Sequence, residues 1–265
     1  MKNITYIFLL ICLIVSILGC SNNDLPIEST EPSNSSENVE IQDNIAPEVE
    51  ENIHEHSQLY NPNYTQEEIL TYFEEVVLNM EYSDGTGDVS CVQKWLSPIY
   101  YNIYGSYTDV DLTELYELFT QLNCINGFPG IYPASDENIE NLSISFFEPN
   151  DFTYQFTDVI NGEDAYGATE FWYYTDTNEI HTARIGYRTD LDQEIRNSIL
   201  LEEIINSLGI SDSTLRTDSV VYQDSNDNFV LSDVDILILK LLYNTEIHCG
   251  MNYENCKKII EILYY

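Results

Sequence analysis

Four oxygen-bearing side chains in the C-terminal half have the types and the spacing of a metal or acid–base site. Glu202, Glu203 and Asn206 lie in a segment whose apolar residues recur at helical spacing, and Asp212 follows Gly209. The i, i+4 spacing places Glu202 and Asn206 on one face of a helix, and a turn at Gly209 returns Asp212 towards them. Three oxygen ligands suit a hard cation such as Ca²⁺ or Mg²⁺ better than Zn²⁺. The segment is therefore the candidate site of the chain.

The same stretch belongs to a longer pattern of helix, glycine, polar link, turn and second helix. After Gly209 come Ser-Val-Val-Tyr at 219–222 and Leu-Ser-x-x-Asp at 231–235, and the second helix closes with Leu-Tyr at 242–243. This order resembles the C-terminal half of a matrixin-type zinc peptidase, whose helix carries H-E-x-x-H-x-x-G-x-x-H. The resemblance implies a zincin-like α+β fold with a mixed sheet.

The resemblance also assigns a role to each position. Glu203 stands at the position of the catalytic Glu, and Val221 stands at the position of the Met in the turn below the metal. The three ligand positions hold Glu202, Asn206 and Asp212, and none of them is His. A zinc peptidase usually needs at least two imidazole ligands. The scaffold pattern is kept and the zinc pattern is lost, so we expect no cofactor, with Ca²⁺ or Zn²⁺ at these residues as the alternative.

A structural role for the two adjacent glutamates is the competing interpretation. Both neighbour apolar residues of the helix, and a buried carboxylate needs a cation or several hydrogen-bond donors. Because cations are scarce in this chain, four arginines are the candidate partners: Arg184, Arg188, Arg196 and Arg216. A peptide-binding groove between this helix and an edge strand at Glu179 to Tyr187 is a further alternative. Its candidate lining residues are aromatic: Phe171, Trp172, Tyr173 and Tyr174.

A second resemblance covers the chain from about Tyr64 to the C-terminus. It depends on Lys94-Trp95, on Glu-Glu-x-x-x-Ser-Leu-Gly starting at Glu202, on an Asp-Ser pair, and on Leu-Tyr followed by Gly-Met. These residues are similar to those of a bacterial family of secreted and lipid-anchored proteins, domain of unknown function 2927. The resemblance implies an exported protein and brings no activity with it.

Helices and strands are predicted in a mixed order ahead of the candidate site. Local patterns favour a helix capped by Thr65 that runs to about Met80, a strand at Trp95 to Tyr104, a helix from Asp109 or Asp111 to Cys124, and a strand at Leu142 to Phe147.

The candidate helix is preceded by a predicted hairpin and followed by two predicted helices. The predicted elements are strands at Ala168 to Tyr174 and Glu179 to Tyr187 with a turn at Asp176 to Asn178, the helical pattern from Thr189 to Leu208, a helix capped by Ser232, and a last helix at Tyr253 to Tyr265. This order is that of a zincin-type catalytic domain and predicts one α+β domain over residues 61–265.

The N-terminus has the features of an exported, lipid-modified protein. Lys2 precedes an apolar run from Ile7 to Leu18 that is too short for a comfortable membrane span, so residues 1–19 are predicted to be a cleaved signal peptide. Ile-Leu-Gly-Cys at 17–20 resembles a bacterial lipobox, which implies attachment of lipid, palmitate included, to Cys20. Residues 20–60 are predicted to be a disordered acidic tether. We therefore expect a lipid-anchored protein on the extracytoplasmic side of the cell membrane.

The charge of the chain limits its partners. The 265 residues include 46 acidic and 9 basic side chains, which gives a net charge of −37. Such a surface repels nucleic acid, and it suits cations, basic peptides or a basic protein partner; solubility, in a host with acidic exported proteins, is the alternative explanation.

Four cysteines remain after the signal peptide and the lipidated residue are set aside. They are Cys91, Cys124, Cys249 and Cys256. An even number of cysteines in an exported chain indicates disulfides. We predict Cys249–Cys256, which are close in sequence, and consequently Cys91–Cys124; zinc binding is the alternative, although no C-x-x-C spacing occurs.

Three functions remain open from the sequence. The prediction that we carry forward is a cell-surface lipoprotein whose degenerate peptidase-like domain acts as a binding or envelope-associated module. One alternative is an atypical metal-dependent peptidase or hydrolase that uses Glu203, and the other is a calcium-stabilised structural lipoprotein.

Overall fold

The computed structural model describes residues 59–78, 91–136, 139–160, 165–224 and 227–264. These residues form a mixed α+β domain around a six-stranded sheet. The strands are β1 (Lys94–Trp95), β2 (Ile99–Gly105), β3 (Ile131–Pro133), β4 (Leu142–Phe147), β5 (Gly167–Tyr173) and β6 (Glu179–Arg188). The predicted signal peptide, Cys20 and nearly all of the predicted tether lie outside the described residues.

Seven α-helices lie within these ranges. They are α1 (Gln66–Phe73), α2 (Asp109–Asn123), α3 (Pro149–Gln155), α4 (Thr157–Ile160), α5 (Gln193–Asn206), α6 (Asp233–Leu242) and α7 (Tyr253–Leu263). A π-helical turn at Glu74–Leu78 extends α1. Across the same ranges no helix has the length and apolar character needed to cross a membrane.

The sheet is mostly parallel. β4 pairs with β2 on one side and β6 on the other, β3 lies beyond β2, and all of these pairs are parallel. β1 pairs in parallel with the first residues of β6. β5 pairs with β6 in antiparallel register, so that Ala183 of β6 lies between Leu142 of β4 and Phe171 of β5. β6 is therefore an interior strand, and β5 is an edge strand.

The two faces of the sheet differ because side chains alternate along each strand. Leu142, Ile144 and Phe146 of β4 are buried in the main core, which also contains the apolar residues of α1, α2, α5 and α6. On the opposite face, α3 and α4 cover one end of the sheet through a small cluster that contains Phe152 and Phe156. The central helix α5 therefore packs on the face that holds the main core.

Local sequence signals explain how several of these elements begin and end. Thr65 and Ser232 both form capping boxes, in which the side chain of each accepts from the backbone three residues later. The β5–β6 hairpin turns at Asn178, which has a φ of 58°, a left-handed conformation that Asn tolerates better than most residues. These predicted features are confirmed.

Two predicted elements need correction, and two helices were missed. The strand predicted at Trp95 to Tyr104 is divided into β1 and β2, because Pro98 has no N–H to donate and interrupts the ladder. The helical pattern from Thr189 is helical only from Gln193, because the Thr189 N–H still extends the sheet by donating to the Phe147 carbonyl. The helices α3 and α4 were not predicted; Pro149 at the first position of α3 is the local signal for them.

The expected disulfides are not formed. Cys91, Cys124, Cys249 and Cys256 all lie in the described part of the chain, and none of them forms a disulfide there. Cys124 is exposed beyond the end of α2, whereas the Cys91 Sγ lies 3.6 Å from Asn178 Oδ1 on the hairpin turn. The Cys249 Sγ lies 3.6 Å from the Lys94 carbonyl oxygen, and Cys256 is buried within α7. Cys91 lies near enough to Cys256 to affect its ionisation, so closeness in sequence was not a guide to which thiols lie together.

Candidate functional site

The central helix α5 carries most of the candidate residues and is fixed at both ends. Near its start, Arg196 Nε donates to Asp111 Oδ1 at 2.9 Å, and both side chains are almost fully buried. At its end, Gly209 has a φ of 93° and its α-carbon packs against the Gln93 carbonyl, so a side chain there would collide with backbone. The helix therefore presents its residues in a defined orientation.

The turn at Gly209 brings Asp212 back to the helix. Asn206 Nδ2 donates to Asp212 Oδ1 at 2.9 Å. Glu202 lies near enough to Glu203 and Asp212 for both to affect its ionisation. The four residues singled out in the sequence therefore lie together. Asp212 is exposed and Glu202 is half-buried, so this part of the cluster faces solvent.

Glu203 points in a different direction, into the protein. Its exposed fraction is 7%, and its Oε2 lies 2.6 Å from the hydroxyl of Thr169 on β5. The same hydroxyl lies 2.9 Å from the Glu203 backbone carbonyl, to which it donates. Gly167 makes room for the carboxyl group, since a β-carbon at that position would overlap it. Glu203 therefore occupies a fitted site between α5 and the edge strand.

Burial raises the pKa of both glutamates and so favours their protonated forms at neutral pH. Burial raises the pKa of Glu203 to about 8, although the Thr169 hydrogen bond lowers it, and Asp212 raises it further. Burial also raises the pKa of Glu202 to about 9, with Glu203 and Asp212 adding to the effect. A general base or an anionic metal ligand has to be deprotonated, so neither glutamate is prepared for that role at pH 7.

The arginines predicted to neutralise these glutamates have other partners. Arg184 pairs with Glu170, Arg188 with Asp190, Arg196 with Asp111, and Arg216 with Asp218. Each of these acidic partners lies nearby in sequence, across a strand pair or at a helix start. Protonation, rather than an ion pair, makes the burial of Glu203 tolerable.

The donor set does not fit a catalytic zinc ion. Throughout the described ranges, no three His, Cys, Asp or Glu side chains are arranged to hold a metal ion. The three ligand positions offer only carboxyl and amide oxygens, which are the ligands of harder cations. One observation favours a cation of that kind: Asn206 Oδ1 is buried and has no hydrogen-bond partner. Val221, at the position of the turn Met, is buried in the core.

The prediction that Glu179 to Tyr187 form an edge strand was wrong. Glu179 to Tyr187 belongs to β6, which is paired on both sides, whereas β5 has only β6 as a strand partner in the described part of the chain. The aromatic residues of the hairpin alternate: Phe171 and Tyr173 pack on the core, while Trp172 and Tyr174 are exposed. A ligand that adds to the sheet beside α5 would therefore meet β5.

The residues Lys94 and Trp95 have a structural role that the sequence did not reveal. Trp95 Nε1 donates to the Ser207 carbonyl at the end of α5 at 2.8 Å. Lys94 Nζ donates to the carbonyl of Leu242, the last residue of α6, at 2.7 Å, and to the carbonyl of Ile247 in the loop that follows. A cavity of about 210 Å³ adjoins them. The lysine directly before the tryptophan that opens the predicted strand was the available signal.

Comparison with known proteins gives one match. A family model described as a protein of unknown function (DUF2927) matches residues 66–262, which is most of the chain and nearly all of the described domain. No curated protein matches the chain.

Proposed function

We infer that this chain, which belongs to the DUF2927 family, is a lipid-anchored extracytoplasmic protein whose domain acts as a binding or envelope-associated module. The domain uses a zincin-like scaffold from which the zinc chemistry has been lost. Support for the scaffold comes from the order of its elements and from the antiparallel edge strand β5 beside the central helix α5. The resemblance in the region 201–243 is the second support.

The observation that carries this proposal is the position of the Glu203 carboxyl group. In a hydrolase of this kind the Glu faces a metal-bound water and takes a proton from it. Here the carboxyl group is buried against Thr169 and Gly167, and its pKa is raised to about 8. Glu203 therefore stabilises the contact between α5 and β5, and the surface beside it is left to bind a ligand without cleaving it.

The binding surface that we propose is the outer edge of β5. An edge strand presents N–H and C=O groups that an extended peptide can pair with. The exposed Asp212 accepts a hydrogen bond from Asn206 at the end of α5, and the chain as a whole carries a net charge of −37. Charge complementarity then favours an extended peptide segment that carries Lys or Arg.

A peptide experiment tests binding and catalysis together. Extended Lys-rich peptides, their Glu-rich counterparts and backbone N-methylated Lys-rich peptides are incubated with the chain at pH 7, and retention and cleavage are both measured. We expect retention of the Lys-rich peptide, loss of retention on N-methylation because the strand pairing is removed, and no cleavage. Equal retention of all three would contradict addition to β5. Cleavage that is abolished by Glu203→Gln but kept in the exposed control Glu194→Gln would establish a hydrolase instead.

The proposed anchor has its own test. Cys20→Ser removes the thiol that would carry the lipid, and we expect the protein to move from the membrane fraction to the soluble fraction and to lose incorporation of labelled palmitate. Membrane association depends on the buried acyl chains, so loss of the attachment site should abolish it. A Cys20→Ser protein that stays in the membrane fraction would show that another element anchors the chain.

A calcium-stabilised structural lipoprotein is a second candidate. The buried, unpartnered Asn206 Oδ1 beside Asp212 and Glu202 favours it, because Ca²⁺ prefers carboxylate and amide oxygens. This candidate predicts that millimolar Ca²⁺ raises the melting temperature and that Asp212→Asn removes the effect, while the exposed control Asp224→Asn keeps it. A melting temperature that does not respond to Ca²⁺ excludes it.

A further inference from the structure

A polar cavity lies on the face of the sheet opposite α5. Its volume is about 140 Å³, and its lining includes Ser143 and Ser145 of β4, Arg184 of β6, Gln155 and the ring of Phe156. Glu203 contacts Gly167 and Thr169 of β5, whereas Arg184 pairs with Glu170, the residue that follows Thr169. Since neighbouring residues of a strand face opposite sides, this cavity is separate from the candidate site. An inference drawn from it is therefore independent of the proposed function.

The guanidinium group of Arg184 is held in place from three directions. Its Nε donates to Glu170 Oε2 at 2.6 Å. Its central carbon lies 4.8 Å from the centroid of the Phe156 ring and 5.9 Å from that of the exposed Trp172 ring. Gly186 allows the Phe156 ring to lie directly on the sheet, because a β-carbon there would overlap the ring. The arginine is therefore pre-organised by cation–π contacts and one ion pair.

Several of the hydrogen-bonding groups that line the cavity have no partner in the described part of the chain. Within the described ranges, Arg184 bonds to Glu170 through Nε alone, which leaves the two terminal nitrogens without a partner. Ser143 is paired with Arg184 across β4 and β6, and Ser145 is two residues further along the same face. Neither hydroxyl takes part in a side-chain hydrogen bond in that part of the chain. A rigid guanidinium with free terminal nitrogens and two neighbouring hydroxyls is a receptor for an oxyanion.

We propose that this cavity binds a small monocarboxylate through the terminal nitrogens of Arg184 and the hydroxyls of Ser143 and Ser145. The planar guanidinium fork matches the two oxygens of a carboxylate, and the ring of Phe156 provides an apolar wall for the carbon next to it. A single negative charge is preferred over the two charges of phosphate or sulfate. Glu170 already neutralises much of the arginine, and the whole chain is strongly acidic.

Fluorescence of Trp172 provides a direct readout. The chain has two tryptophans: Trp172 is 41% exposed and lies over Arg184, whereas Trp95 is 1% exposed in the core. The full chain is titrated with acetate, with neutral acetamide, with inorganic phosphate and with chloride at matched ionic strength. We expect a saturable change with acetate, a weaker response to phosphate, and no saturable response to acetamide or chloride. Trp172→Phe should remove the signal.

Substitutions of the lining residues test whether acetate binds in this cavity. Arg184→Gln should weaken acetate binding at least tenfold, since it removes the charge-assisted pair, and Ser143→Ala should weaken it several-fold without changing any charge. Arg188→Gln is the control: it removes one cation from the same strand, but Asp190 already occupies two nitrogens of Arg188. Acetate binding that survives Arg184→Gln would overturn the proposal. So would phosphate binding tighter than acetate, or the absence of saturation by acetate in a folded chain.

Discussion

Lys94→Met is expected to lower the free energy of unfolding by about 3–5 kcal/mol, because it leaves buried carbonyl groups at the end of α6 without a donor. Lys94 is 4% exposed, and its Nζ donates to the carbonyls of Leu242 and Ile247 and, at 3.4 Å, to that of Asn244. It is also a cation at the C-terminal end of a helix, where the helix dipole favours positive charge.

The size of this loss of stability follows from the buried carbonyl groups that Lys94→Met leaves without a donor. Methionine fills similar space, and replacing a whole buried ion pair by apolar groups is often close to neutral. Here only the donor is removed and the acceptors stay buried, so the desolvation cost of the carbonyls is not recovered. Burial lowers the pKa of Lys94 to about 8, so the side chain is still mostly charged at pH 7 and its hydrogen bonds are charge-assisted.

Urea unfolding at pH 7 measures this effect, and Lys240→Met is the matched control. Lys240 is exposed on α6, the helix that Lys94 caps, so the control should change the free energy of unfolding by less than about 0.5 kcal/mol. The Lys94 variant should also melt roughly 10 °C lower. Equal stability of Lys94→Met and Lys240→Met would contradict a stabilising role for the hydrogen bonds that Lys94 donates.

The stability of the domain is expected to fall as the pH rises from about 5 to 8, which is the reverse of the behaviour caused by paired surface carboxylates. The pKa of Glu203 is raised from 4.5 to about 8 and that of Glu202 to about 9 by burial. Between pH 4.5 and 8 the folded chain therefore holds protons that the unfolded chain has released. The stabilisation is complete below pH 4.5 and is lost as the pH rises through the folded pKa values.

The free energy of unfolding is expected to fall by about 1.4 kcal/mol per pH unit for each carboxyl group that titrates in this way. Repulsion among the many surface carboxylates acts in the same direction, so a variant has to isolate the contribution of Glu203. Glu203→Gln should reduce the slope by about that amount and leave the protein at least as stable as the wild type at pH 8, because the amide stays neutral at every pH.

Glu194→Gln is the control for this prediction. Glu194 is exposed in the first turn of the same helix, and its replacement should leave the slope unchanged. The measurement is the free energy of unfolding by urea at intervals between pH 5 and 8.5. If Glu203→Gln destabilises the protein and leaves the slope unaltered, then Glu203 is ionised in the folded state, as it would be beside a bound cation.

The parts of the fold that could be predicted are those set by local sequence. The capping boxes at Thr65 and Ser232, the left-handed Asn178 and the end of α5 at Gly209 each depend on a few adjacent residues. The convergence of Asn206 and Asp212 followed from helix geometry and one glycine turn.

The parts that could not be predicted depend on contacts distant in sequence. The burial of Glu203 is decided by Gly167 and Thr169, more than thirty residues earlier. No helical pattern encodes which edge of the sheet lies beside α5, so β6 was taken for the edge strand in place of β5. The partners of the arginines were uncertain for the same reason, since an acidic chain offers many carboxylates to each cation.

The most direct test of the account is the zinc content of the full chain, purified without chelator, together with its melting temperature before and after added zinc. We predict far less than one zinc per chain and no change in the melting temperature, because the ligand positions hold Glu202, Asn206 and Asp212 and burial favours the protonated forms of Glu202 and Glu203. About one zinc per chain, lost on Asp212→Asn and kept on Asp224→Asn, would contradict the account and restore a metal-dependent hydrolase.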